Sequence, residues 1–179
     1  MPRLLTCLVL LFASCTTSKL DEFDLSRTAT AEVAGSPLPA VLQNALNMTG
    51  FADMEFSTAQ EFKNQGVAPN DVDSIKLRAL SLKVVSPPGQ DLTFLESVEF
   101  FAEAEGKAKV SVAKGGPFAK GVASLALTMT NVELKPYVVA PKMSLTAAVK
   151  GHQPNQTTKI EATAVLRVDV DVTGAVTGK

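Results

Sequence analysis

Two thiols, one imidazole and a scatter of carboxylates are the groups in this 179-residue chain that could do chemistry. His152 is the single histidine, in the polar run His152–Thr158. An imidazole serves as base to a Ser or Cys nucleophile when a third group orients it, and no motif here supplies one. Zinc needs several Cys or His ligands, and the chain beyond its first 15 residues offers only His152. Asp71-Val72-Asp73 could start a calcium loop, but the further acidic residues and the turn glycine of such a loop are missing. Glu96, Glu99, Glu103 and Glu105 could offer a carboxylate pair for glycoside hydrolysis. Their interleaving with Lys107 and Lys109 reads better as a charged surface strand. Asp169 and Asp171 alternate with apolar residues, so they fit the wet face of a strand, where charge protects an edge. The glycines of Lys114–Gly121 lack the Gly-x4-Gly-Lys-Ser/Thr order of a phosphate loop. With no Trp and only Tyr137, stacking platforms for sugars are scarce. The expectation is a protein that is not an enzyme, with no metal and no cofactor.

The most specific pattern is Met1–Cys15, MPRLLTCLVLLFASC. Arg3 gives a positive start, Leu4–Phe12 is apolar apart from Thr6, and Ala13 and Ser14 are small. That is the plan of a secretory signal peptide. The apolar run falls short of the roughly 20 residues that span a bilayer. Phe12-Ala13-Ser14-Cys15 resembles the lipobox of bacterial lipoproteins, with Phe12 where leucine is most common. The resemblance implies cleavage before Cys15, a diacylglyceryl group on its sulfur and acylation of the new amino terminus. Each buried methylene adds about 0.8 kcal/mol, and stable anchoring needs more than one chain; two or three chains on one cysteine meet that need. The residue after the cysteine is Thr16 and not Asp, so the Gram-negative sorting rule implies the outer membrane. The rival reading is ordinary cleavage nearby and a freely secreted protein.

Processing at Cys15 would remove Arg3 and Cys7. The formal charge would change from −1 to −2, and no free thiol or disulfide would remain. A near-neutral domain has no electrostatic footprint for nucleic acid. The divisions expected are a cleaved signal at 1–14, a lipidated cysteine and tether at 15–30, and one domain at 31–179. Asn47-Met48-Thr49 and Asn155-Gln156-Thr157 fit the glycosylation pattern by chance in a bacterial chain.

Within the domain, Ser36-Pro37-Leu38-Pro39 looks like a helix start, followed by a stripe of Val41, Leu42, Ala45 and Leu46. Phe51–Phe56 can be extended. Thr58–Glu61 fits a capping box, Phe62 points inward, and Gly66 stops the turn. Ile75 and Leu77 alternate on odd positions, and Leu80, Leu82 and Val84 on even ones. Period-2 alternation cannot change phase without a bulge, so one is expected near Ala79. Ser86–Gly89 reads as a turn. Val98, Phe100, Ala102 and Ala104 face Ala108, Val110 and Val112 if the loop is Glu105-Gly106-Lys107, which sets Glu103 opposite Lys109. Leu125, Leu127 and Met129 alternate. Val132–Pro141, with Pro136 and Pro141, suits an irregular crossover between sheets. Met143–Val149 is a strand, and Ile160–Val172 is the longest, with one wet face.

The fold expected is all-β and mainly antiparallel, a β-sandwich of about seven strands with one or two short helices near the N-terminal side. Leu82–Phe101 resembles secreted bacterial β-domains, a likeness that carries no activity with it. The expected function is a non-enzymatic, lipid-anchored scaffold, adhesion or protein-binding module of the cell envelope, with the membrane and an envelope protein as partners. The alternative is a carrier holding an apolar ligand between the sheets, in room left by Ala102, Ala104, Ala108, Ala147, Ala162 and Ala164.

Overall fold

The computed structural model describes residues 22–36, 54–56, 62–68, 71–140 and 142–170. Cys15, the helix expected after Ser36, the capping box at Thr58–Glu61 and Asp171 lie outside them. The described residues form two antiparallel sheets with a shared apolar interior. The strands are β1 Glu22–Val33, β2 Met54–Phe56, β3 Val72–Ser86, β4 Leu95–Ala104, β5 Val110–Gly115, β6 Ser124–Ala126, β7 Thr128–Met129, β8 Met143–Gly151 and β9 Thr158–Val170. One sheet runs β1-β9-β3-β6 and the other β2-β8-β4-β5-β7. This is the expected all-β, sandwich-like class, with nine described strands where about seven were expected.

β9 is the spine of the first sheet. Its even positions from Ile160 to Val168 are fully buried, and its odd positions are half-buried on the other face. β1 pairs with β9 along its whole length, from Glu22 opposite Asp169 to Val33 opposite Thr158. Residues 22–30, expected to belong to the tether, are therefore part of a strand. The sequence signal is the odd-position set Phe23, Leu25, Ala29, Ala31 and Val33, interrupted by Arg27. An edge strand tolerates an inward charge, and such a charge discourages pairing with other chains.

β3 changes phase where expected. Leu77 pairs with Leu166 and Ala79 with Val165, so Arg78 is the extra residue of a bulge. Leu77 and Leu80 both stay buried. Two more irregularities, at Asp73 and at Val85, carried no clear sequence signal.

The β4–β5 hairpin keeps the expected register at its tip, with Ala102 opposite Val110 and Phe101 opposite Ser111. Past Phe101 a bulge at Val112 shifts it, because Phe100 pairs with Ala113. Val112 and Ala113 are both buried as a result.

The segment expected as one strand around Leu125–Met129 divides. β6 pairs with β3 and β7 with β5, so the chain changes sheet at Leu127. Leu127 is buried, and its N–H donates to the Leu80 carbonyl at 2.8 Å. A second passage between sheets falls in Val132–Pro141, as expected: Glu133 bridges to Lys76 on β3, β8 lies in the other sheet, and between them is a short helix, α1 Lys135–Val138. Pro136 fits there because the first helical turn needs no N–H from it. A helical turn at 62–64 buries Phe62 edge-on against Phe23, with ring centroids 6.2 Å apart. Gly66, at φ +68°, ends that turn.

The glycines at 116 and 151 let backbones touch. A Cβ on Gly116 would lie 2.2 Å from the Glu96 carbonyl oxygen, and one on Gly151 would lie 2.2 Å from that of Phe94.

Candidate functional site

The register of the first sheet decides which charges meet on its outer face. Along β1 the even positions point out, and along β9 the odd ones do. Glu22, Asp169 and Ser74 form one row, and Asp24, Arg167 and Lys76 form the next. The bulge adds Arg78 to that face. The next two rows are neutral, with Ser26, Val165 and Ala79, then Thr28, Thr163 and Ser81, and charge returns beyond them with Glu161 and Lys83, then Glu32 and Lys159. Thr28 and Thr163 share a hydrogen bond between hydroxyls at 3.1 Å. One of the two charged clusters of this face therefore sits at the end of the sheet where β1 begins and β9 stops.

Carboxylates hold the two guanidinium groups. Arg167 donates from Nε to Asp24 and from Nη1 to Glu22, both at 3.2 Å. Arg78 is ion-paired with the other oxygen of Asp24. These pairs are partly exposed, so each adds little stability; what they fix is where the guanidiniums point.

A rim stands beside this face. Asn131 adopts φ +59°, the one positive φ among described residues other than glycine. Glu133 then reaches back to β3. Its Oε1 accepts from the N–H groups of Ile75 and Lys135, and its Oε2 from the Ser74 hydroxyl, each at 2.8 Å. The Leu134 N–H donates to the Ile75 carbonyl at 2.7 Å. Residues 131–135 thus act as a substitute strand beside the start of β3. Partial burial pushes the Glu133 carboxyl up, but the three hydrogen bonds and the nearby Lys76 charge outweigh it, and its pKa is lowered overall.

Between rim and sheet lies an open cleft of about 380 Å³. Among the described residues, the side chains of Lys76, Asn131 and Asp169 line it without making a hydrogen bond.

The other residues singled out from sequence are dispersed. Glu103 meets Lys109 at 2.6 Å, as the register required, and also accepts from Thr146 at 2.5 Å. The Lys109 hydrogen bond, then that of Thr146, lowers the Glu103 pKa. Lys109 also lies 4.6 Å from the ring centre of Phe101. Asp71 accepts from the Ala68 N–H, closing a local turn. His152 is half-buried, with its backbone N–H on the Phe94 carbonyl. Among the described residues, no group of three or more His, Cys, Asp or Glu could hold a metal ion.

Sequence reasoning missed Asp91. Its carboxylate accepts from Gly121 N–H, from the Thr93 hydroxyl and from Thr93 N–H, and these bonds lower its pKa in that order. It ties the loop after β3 to the loop before β6. The Asp-x-Thr spacing is its local signal; the Gly121 partner is not visible in sequence.

Of the small residues expected to leave room inside, Ala102, Ala162 and Ala164 are fully buried and Ala108 is exposed. Phe94, Phe100, Leu80, Leu82 and Leu145 fill the interior around them. No protein-family model matches this chain, and no curated protein matches it significantly.

Proposed function

We propose that this protein is a non-enzymatic scaffold of the bacterial cell envelope, held to the outer membrane by lipid on Cys15 and binding an envelope protein partner. The observation that carries the reading is the order of Arg3, an apolar run and Ala13-Ser14-Cys15. The start of β1 sets the spacing that this reading implies. Glu22 follows Cys15 by seven residues, a reach of about 25 Å when extended, so an anchored domain stands close to its membrane. The use of the carboxylates also supports it. Asp91, Glu103 and Glu133 all accept hydrogen bonds from the chain's own groups.

Envelope fractionation with crosslinking tests the proposal. The wild-type chain is expected in the membrane fraction, joined to a protein partner, and Cys15→Ser is expected in the soluble fraction. Recovery of the wild type only as an uncrosslinked monomer would sink the assembly role.

A further inference from the structure

We infer that the cleft beside Arg78 binds the headgroup of an aminophospholipid, taking its phosphate and its ammonium in two separate places. The inference rests on the proposed anchoring at Cys15. The cleft lies at the end of the sheet where the chain enters, and Glu22 is both its wall and the first residue of β1. Seven residues at about 3.6 Å each give the anchor a reach of about 25 Å. The headgroup layer is itself several Å deep on each side of the hydrocarbon, so the cleft lies within reach of the lipids around the anchor.

The lining chooses the ligand class. Three cations, Lys76, Arg78 and Arg167, meet the lining carboxylates Glu22 and Asp169, with Asp24 and Glu133 beside them. That balance disfavours a simple polyanion and suits a zwitterion. Arg167 and Arg78 are already ion-paired through Glu22 and Asp24, which sets their direction. Lys76 and Asn131 hold donors that no other described group uses. These donors suit a phosphate oxygen, and their charge-assisted bonds are the stronger kind. Asp169 is the one lining carboxylate with no hydrogen bond among described residues, and it suits a primary ammonium. A volume of about 380 Å³ falls in the range of small-molecule sites. A lipid surface covers the donors without requiring an enclosed pocket.

The test uses the full chain carrying Cys15→Ser, titrated with soluble glycerophosphoethanolamine and followed by NMR shifts of the cleft residues. Saturable shifts at Lys76, Asn131 and Asp169 are expected. Lys76→Gln should weaken binding by about fivefold, the equivalent of one ordinary hydrogen bond. Asp169→Asn should weaken glycerophosphoethanolamine by a similar factor and leave glycerol 3-phosphate unchanged. Neither side chain makes a hydrogen bond in the described fold, so both variants should keep the wild-type spectrum elsewhere. Non-saturating shifts, wild-type affinity in both variants, or loss of both ligands on Asp169→Asn would each overturn the inference. Because the readout needs no lipid on Cys15, failure of the anchor leaves this result standing, and failure here leaves the anchor standing.

Discussion

At the scale of single residues, carboxylates do structural work that the sequence shows only in part. Glu103 and Lys109 were legible because alternation on both strands left one register across Gly106. Glu133 was not legible. Its partners on β3 lie 58 residues away or more in sequence, and nothing local marks it. Glu133→Ala should cost about 1–3 kcal/mol in urea unfolding, since the N–H of buried Ile75 loses its acceptor. Glu133→Gln keeps an acceptor oxygen and should cost less; a loss equal to that of Ala would show that the hydrogen bonds matter little. The pKa values of Asp91, Glu103 and Glu133 are all lowered in the folded state. The unfolded chain then binds more protons in acid, so stability rises with pH there. The contribution is complete above the unfolded carboxylate range near pH 4 and is lost as pH falls through the folded values. Thermal melts should show this loss below about pH 4, with a shallower slope in Glu133→Gln.

At the scale of elements, the bulge in β3 was legible from a change of phase, and the start of β1 was not. In β1 the apolar set is weak, with two alanines and an inward Arg27, and the charges resemble those of a linker. Only pairing with β9 makes it a strand. The sheet change at Leu127 was hidden for a related reason. An unbroken period of two in Leu125, Leu127 and Met129 says nothing about which neighbour each residue pairs with. The bulge allows a sharp comparison. Removing Arg78 joins Leu77 to Ala79 and restores simple alternation without moving the pairs to β9. Removing Ser81 puts Leu82 and Val84 on the wrong face. The Arg78 deletion should therefore melt cooperatively by circular dichroism, and the Ser81 deletion should show no cooperative transition. Equal damage from both would contradict the assignment of Arg78 as the extra residue.

At the scale of the whole molecule, the sandwich was legible in its class because one wet face per strand recurs along the chain. Its core also bears on the rival carrier role. Ala162 is fully buried and faces the second sheet. In a filled interior Ala162→Leu is overpacked and should lose about 1–3 kcal/mol in urea unfolding; a neutral or stabilising effect would favour room for an apolar ligand. The placement of β1 also shortens the tether, so the domain and its charged cleft belong near the membrane if Cys15 carries lipid. The central claim is that lipid, and mass spectrometry of the mature N-terminus tests it most directly. The wild-type chain should begin at Cys15 and carry the mass of a diacylglyceryl group, with Cys15→Ser lacking it. A wild-type N-terminus without acyl groups would contradict the account.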